Sequence, residues 1–294
     1  MFLGGVILQF DFLIIGNDKR FCHFANYLAL KKFKVLVLNM NCEFFDKAVK
    51  KTSSLKFAVK NSKNIILSIP FSRDFVYLNT NNKKISIEEF LSYLTCENVL
   101  FGGCFTEKFL RVCREKNVFV YDYYKDNKFV VYNSIATAEA AIAKAILKNG
   151  FNMHFSKCLV LGFGNCGKII ANKLKNLCSK VFVCTNDEKE KAWARAFSFS
   201  VFETSSLVFK AEKFNYIFNT IPKQIFNEDV LDALNEKAFI LDITNVGIDL
   251  KKAKKKKINF EQISGIPGKF KAYSSGELLV DITLKITKKI NYEH

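Results

Sequence analysis

Leu159-Val160-Leu161-Gly162-Phe163-Gly164-Asn165-Cys166-Gly167-Lys168-Ile169-Ile170-Ala171 sets three glycines in the pattern G-x-G-x-x-G, directly after a short apolar strand and at the head of a helix. Each glycine has a physical reason. Gly162 permits the tight turn, Gly164 lets the backbone approach a diphosphate, and Gly167 lets the helix pack closely on the strand. The helix offers Ile169, Ile170 and Leu174 for its buried side, and Val181-Phe182-Val183 returns as a second strand. Residues 157 to 186 therefore read as a βαβ unit holding the diphosphate of a nicotinamide dinucleotide, with Phe163, Asn165 and Cys166 completing the turn. The alternative is a glycine-rich turn with no ligand.

The second strand ends in Cys184-Thr185-Asn186-Asp187, where the adenosine ribose is read. An acid there favours NAD, and Arg or Lys accepts the 2′-phosphate of NADP. Thr185 and Asn186 stand at the position itself, Asp187 comes slightly late, and Lys189 and Lys191 add positive charge. NADP and NAD both stay open, with a tilt to NADP. Further on, Asn219-Thr220-Ile221-Pro222 follows the strand Tyr216 to Phe218, where backbone passes near the nicotinamide ribose in doubly wound folds. A strand-ending proline turn accounts for Thr220, Ile221 and Pro222 equally well.

Outward from this unit, short apolar runs alternate with amphipathic segments. In the first half, Phe10 to Ile15, Val35 to Leu38, Ile65 to Ile69, Val99 to Phe101 and Val118 to Tyr121 read as buried strands. Arg20 to Lys31, Ile87 to Leu94 and Glu107 to Lys116 read as the helices between them. The second half repeats the theme at Cys158 to Val160, Val181 to Cys184, Tyr216 to Phe218, Phe239 to Ile243 and Ile258 to Phe260. The pattern predicts an α/β protein of two doubly wound parallel-sheet domains. Residues 1–132 form a flavodoxin- or Rossmann-like substrate domain and residues 151–274 a Rossmann NAD(P)-binding domain. Residues 133–150 form a long linking helix, and residues 275–294 a C-terminal helix that packs back at the domain interface.

The linking helix opens on Tyr132-Asn133-Ser134-Ile135-Ala136-Thr137-Ala138-Glu139, with Ile135, Ala138, Ile142 and Ile146 at helical spacing. Asn133 or Ser134 can cap its start. A helix joining two such domains is expected to present its N-terminus to the cleft, where free N–H groups and the helix dipole attract a carboxylate or phosphate. An ordinary capped linker helix fits the spacing as well.

At 294 residues the chain is long enough for two domains, and 49% hydrophobic against 25% charged residues is the balance of a folded globular protein. The 45 basic against 28 acidic residues give +17, most of it Lys in an Asn-, Ile- and Phe-rich sequence. Without aromatic or Arg-rich recognition signatures this excess predicts no nucleic-acid partner, although it suits an anionic substrate. The run Lys251 to Lys257 reads as a solvated helix face. Nine cysteines without a C-x-x-C pair imply reduced thiols in a cytoplasmic protein. The apolar stretch Phe2 to Ile15 carries Asp11, lacks a basic start and is too short to span a bilayer, so neither export nor a membrane is expected. His23, His154 and His294 read as surface or packing residues, and no Cys/His spacing implies a metal site.

With these segments in view, the chain resembles the A subunit of dipicolinate synthase, the enzyme of endospore-forming bacteria that makes pyridine-2,6-dicarboxylate. The resemblance is carried by Tyr132-Asn133-Ser134-Ile135-x-Thr137-x-Glu139, Val160-Leu161-Gly162-x-Gly164-x-x-Gly167, Asn219-Thr220-Ile221-Pro222, Leu241-Asp242, and Gly265-x-Pro267-Gly268 followed by Ser275-Gly276. Ile15-Gly16-x-Asp18-x-Arg20 is similar to the family's opening turn. Two departures stand out: Asn186 where the family pattern has arginine, and Pro70-Phe71-Ser72-Arg73-Asp74 where it has small hydroxyl residues and glycine. Arg73 is either a substitute carboxylate contact or a solvent-exposed side chain.

The resemblance implies oxidation of a dihydrodipicolinate-type ring from the lysine pathway to dipicolinate with NAD(P), during sporulation and in the mother-cell cytoplasm. It also implies a flavoprotein partner, the B subunit of dipicolinate synthase, places Asp242 on the cofactor side, and leaves homo-oligomerisation open. For the small dicarboxylate substrate the candidate donors are Ser134 and Thr137, three apart on one helical face, with Asn133 and the helix N-terminus beside them. Glu139 lies off that face as an orienting group or base. Two other readings are a shikimate-dehydrogenase-like enzyme, which shares the Asn-Thr-x-Pro turn, and a non-catalytic dinucleotide-binding assembly subunit.

Overall fold

The computed structural model describes residues 9–16, 18–80, 83–177, 179–244, 246–263 and 265–292. Phe2 to Leu8 of the N-terminal apolar stretch, Cys178 and His294 lie outside the described residues. The chain divides into two units, Met1–Val130 with Lys271–His294, and Val131–Phe270.

The first unit runs β1 (Phe10–Ile15), α1 (Lys19–Leu30), β2 (Val35–Leu38), β3 (Lys50–Thr52), α2 (Leu55–Lys60), β4 (Ser62–Leu67), α3 (Ile87–Tyr93), β5 (Val99–Gly102), α4 (Glu107–Glu115) and β6 (Phe119–Asp122). All its pairings are parallel, in the order β3-β2-β1-β4-β5-β6. A parallel sheet needs both faces covered, and β1 shows how the sequence meets this. Phe12 and Ile14 enter the core on the α1 side with Phe21 and Phe24, while Leu13 and Ile15 enter the opposite core with Ala58, Phe90 and Phe109. The period of two along the strand thus feeds two apolar layers.

A 22-residue helix, α5 (Asn127–Lys148), follows. It starts well before the expected Asn133 or Ser134, because the Asp126 carboxylate accepts the Phe129 N–H at 3.1 Å and Phe129 is buried. Asn133, Ser134 and Thr137 therefore lie inside the helix, and the expectation of a free helix N-terminus beside them is corrected. Their amides are spent on the intrahelical ladder. By length and hydropathy α5 also passes for a membrane-spanning helix. Its stripe Ala138, Ala141, Ile142 and Ala145 is buried in the core of the second unit, while Ile146 is exposed.

The second unit continues with β7 (Lys157–Leu161), α6 (Asn165–Asn176), β8 (Lys180–Cys184), α7 (Glu188–Ala196), β9 (Ser200–Phe202), β10 (Tyr216–Asn219), α8 (Glu228–Asp232), β11 (Phe239–Asp242), α9 (Leu250–Lys255), β12 (Asn259–Gln262) and α10 (Ile266–Phe270). Its sheet, β12-β11-β10-β7-β8-β9, is also parallel throughout and is the 3-2-1-4-5-6 order of the dinucleotide-binding fold. Cys158 and Val160 face the layer containing Ile142 and Ile170, and Leu159 and Leu161 the layer containing Leu231 and Ala253. On α9, Ala253 is buried, Lys251, Lys252, Lys254 and Lys255 are exposed, and Lys252 pairs with Glu228 at 3.1 Å, which is a solvated face.

The last helix, α11 (Ala272–Tyr292), belongs to the first unit. It lies on α1 so closely that a Cβ on Gly276 would stand 2.7 Å from the Arg20 carbonyl oxygen. Leu279, Val280 and Ile282 join the core of Phe21, Phe24 and Leu28, each worth about 1.5–3 kcal/mol of apolar burial. The buried Tyr123 and Thr283 hydroxyls hydrogen-bond across it. The first unit is thus closed by the far end of the chain.

Candidate functional site

In a 3-2-1-4-5-6 sheet the ligand crevice opens where the strand order reverses, at the carboxyl ends of the first and fourth strands. In the second unit these are β7 and β10, paired from Tyr216↔Cys158 to Asn219↔Leu161. The glycine turn leaves β7 here, with Gly162 at φ +86°, its N–H donating to the Cys184 carbonyl at 2.8 Å. A Cβ on Gly167 would lie 2.2 Å from the Gly162 carbonyl oxygen, so α6 approaches the turn as only glycine allows. Gly164 differs. It caps α6 without a side-chain bond, and a Cβ there would meet nothing nearer than Glu190 Oε1 at 3.5 Å. The first-turn N–H groups of Asn165, Cys166 and Gly167 have no intrahelical acceptor and sit at the positive end of the helix dipole.

Thr220 closes the other side of the turn: its N–H and its hydroxyl both donate to the Leu161 carbonyl, at 2.9 and 2.8 Å. Ile221 lies against Gly162, its Cγ1 3.0 Å from where a Cβ would stand, and its N–H donates to Asn219 Oδ1 at 3.1 Å. Pro222 follows in the same turn. Asp242 is fully buried with both oxygens taken by protein donors. Oδ1 accepts from Asn219 Nδ2 (2.9 Å), Thr244 N–H (2.9 Å) and Thr244 Oγ1 (2.7 Å), and Oδ2 from Gly247 N–H (3.1 Å) and Gln262 Nε2 (3.0 Å). This carboxylate ties the ends of β10, β11 and β12 together instead of offering itself to a cofactor. Gly247 is required beside it, since a Cβ there would fall 1.9 Å from Asn219 Nδ2.

α5 reaches α6 within this unit. Ser134 is buried, and burial pushes the Cys166 thiol up, with Ser134 opposing the shift. The Thr137 hydroxyl is committed to the Asn133 carbonyl one turn back, at 2.8 Å, so its proton is not free for a substrate carboxylate. Glu139 bridges to Lys173 of α6 at 3.2 Å and Lys144 to Glu261 of β12 at 3.0 Å, lashing α5 to the sheet and its helix. Asn133 is half-buried, and its side-chain amide has no protein partner among the described residues. No group of three His, Cys, Asp or Glu side chains suited to a metal ion occurs among the described residues.

At the end of β8 the ribose-side candidates have other partners. Asn186 pairs with Thr204 through contacts of 2.8, 3.0 and 3.1 Å, and Asp187 caps α7 by accepting the Glu190 N–H at 2.8 Å. Lys191 is buried and held by Glu188 and Glu203. Thr185 donates to Glu190 Oε2 at 2.6 Å, and the Phe163 N–H donates to the same oxygen at 2.7 Å. Sequence reasoning missed Glu190. Its only signal is a carboxylate one helical turn after the cap, which normally reads as dipole compensation.

A family model described as the N-terminal domain of the dipicolinate synthase A subunit matches residues 11–124, and one described as the acetohydroxy acid isomeroreductase NADPH-binding domain matches residues 152–259. The dipicolinate synthase A subunit of Bacillus subtilis (strain 168) is 26% identical over 216 residues, 73% of each chain. The chain is thus similar to the dipicolinate synthase A subunit, through its first unit in the family model and over 73% of its length in the Bacillus subtilis relative. The crystal structure of the dipicolinate synthase A subunit from Bacillus halodurans superposes with a TM-score of 0.82 at 23% identity, covering 96% of this chain and 99% of that one. The crystal structure of its Bacillus subtilis counterpart gives 0.82 at 22%, covering 97% and 98%. These two structures share the fold of two six-stranded parallel sheets, the second unit being of the NAD(P)-binding type.

Proposed function

We propose that this chain is the dehydrogenase subunit of a dipicolinate synthase, oxidising a dihydrodipicolinate-type intermediate of the lysine pathway to dipicolinate with NAD or NADP. It does so in the cytoplasm of a sporulating cell, partnered by the flavoprotein B subunit. The observation that carries the reading is the glycine turn between β7 and α6, with Gly162 at φ +86° and the first-turn amides of α6 clear of the helix ladder. The Glu139–Lys173 bridge at 3.2 Å ties the Asn133 to Glu139 segment of α5 to the helix that this turn opens. The residues fit a dinucleotide diphosphate: the Cβ position of Gly164 is approached only by Glu190 Oε1, at 3.5 Å, and three N–H groups at the head of α6 have no intrahelical acceptor. When bound, the nicotinamide accepts the hydride that the ring must lose on aromatisation.

The chain's own work in this reaction is positioning. Asn133, with its unpaired amide, is the donor for one substrate carboxylate, and Ser134 beside it is buried. Thr137 and Glu139 support α5, the first through Asn133 and the second through Lys173. The test combines this chain, the flavoprotein B subunit, freshly generated lysine-pathway precursor and oxidised NAD or NADP, with dipicolinate followed by ultraviolet absorbance. Dipicolinate forms only in the complete mixture, and Asn133→Ala raises the substrate KM while leaving dinucleotide affinity within about twofold. Tight dinucleotide binding with no product in the complete mixture refutes the dehydrogenase role and leaves a binding subunit.

A further inference from the structure

We propose that Glu190 is the acceptor for the adenosine-ribose hydroxyls, and that its carboxylate makes this chain prefer NAD(H) over NADP(H). The inference rests on the dinucleotide reading above. In this fold the ribose lies beside the end of the second strand and the glycine turn, and the residue there reads the 2′ position. The side chains at the strand end are otherwise employed. Asn186 is held by Thr204, Asp187 caps α7, and the Thr185 hydroxyl is turned to Glu190. Glu190 reaches back from the first turn of α7 and brings its carboxylate to that place.

Two fixed donors, one from each wall of the βαβ unit, hold a single oxygen. The Phe163 N–H belongs to the glycine turn and the Thr185 hydroxyl to the end of β8, and both reach Oε2 within 2.7 Å. The other oxygen, Oε1, faces the bare side of Gly164 and has no protein donor among the described residues. An acceptor held in place beside open space is what a ribose diol needs, since each hydroxyl must donate one hydrogen bond. A 2′-phosphate offers no such proton and brings about two negative charges to the same spot. Of the two lysines next to the strand end, Lys191 is spent on Glu188 and Glu203 and Lys189 is exposed. On this assignment the tilt towards NADP drawn from Lys189 and Lys191 gives way to NAD.

The test is calorimetric titration of the full-length chain with NADH and with NADPH, for the wild type, Glu190→Gln and Thr185→Val. The wild type binds NADH at least about tenfold more tightly, equivalent to roughly 1.4 kcal/mol of like-charge repulsion. Glu190→Gln keeps the shape and the acceptor for Phe163, so it folds, weakens NADH and tightens NADPH until the gap closes. Thr185→Val loosens the carboxylate and shifts the same ratio in the same direction by less. Equal or tighter wild-type binding of NADPH overturns the assignment while leaving the dinucleotide reading intact. Glu190→Gln tightening both nucleotides alike overturns it too, because the carboxylate is then an obstacle to the diphosphate. Failure of the wild type to bind either nucleotide overturns the assignment and the reading together.

Discussion

Replacing Gly164 and Gly167 in turn by alanine separates ligand space from packing space within one turn of chain. At Gly167 the added methyl would sit 2.2 Å from the Gly162 carbonyl oxygen and 2.9 Å from its carbon, both backbone atoms. The first is more than an ångström inside ordinary contact, and relief requires lifting α6 from β7 against the packing of Ile170 and Leu174. Such overpacking costs about 3 kcal/mol, which lowers Tm by about 6–12 °C for a unit of this size. At Gly164 the methyl meets only Glu190 Oε1 at 3.5 Å, and φ −68°, ψ −162° is open to alanine. The stability loss is below about 1 kcal/mol, the difference between glycine and alanine at a helix cap. The same methyl fills the space left for a diphosphate, so NADH affinity falls at least about tenfold, or roughly 1.4 kcal/mol. Thermal unfolding and nucleotide titration on both variants, with Gly150→Ala as an unobstructed control, give the two readouts. Gly164→Ala binding NADH as the wild type does, or Gly167→Ala melting with the control, refutes the division of roles.

Asp242→Ala strands donors from Asn219, Thr244, Gly247 and Gln262 in the core and costs about 3–5 kcal/mol; a Tm within about 2–4 °C of wild type, about 1 kcal/mol, contradicts this. Asp242→Asn keeps one acceptor oxygen and falls between. His23 packs against Phe44 and Tyr273, and burial, aided by Lys19, holds its pKa below the usual 6.5. The folded chain then binds this proton less readily than the unfolded chain does. The stability from neutral His23 is full above 6.5 and is lost as pH falls through the folded-state value. Melting curves between about pH 7.5 and 5.5 show a steeper Tm loss for wild type than for His23→Gln, and parallel slopes refute it.

The two sheets were readable because their inner strands are apolar on both faces: Phe12 to Ile15 and Leu159 to Leu161 can only be buried. The edge strands β3 and β9 were not. Lys50-Lys51-Thr52 and Ser200-Val201-Phe202 are three residues long and half-solvated, with no periodicity to detect. Asn133 and Ser134 imitate a helix cap locally, and Asp126 takes that role because burying Phe129 and Val130 carries the helix upstream. The return of α11 to α1 joins residues some 250 positions apart, a pairing that local propensity does not encode. The glycine turn was legible as chemistry because each glycine answers a separate steric demand. Glu190 and the Asp242 network were not, since both arise only when separate strand ends converge.

Hydrogen exchange read by mass spectrometry, with and without saturating NADH, locates the ligand directly. Slowed exchange confined to the amides of Phe163 to Gly167, the end of β8 and the Asn133-Ser134 turn of α5 is the predicted pattern. Unchanged exchange in the Phe163 to Gly167 peptide, with protection elsewhere or nowhere, contradicts it.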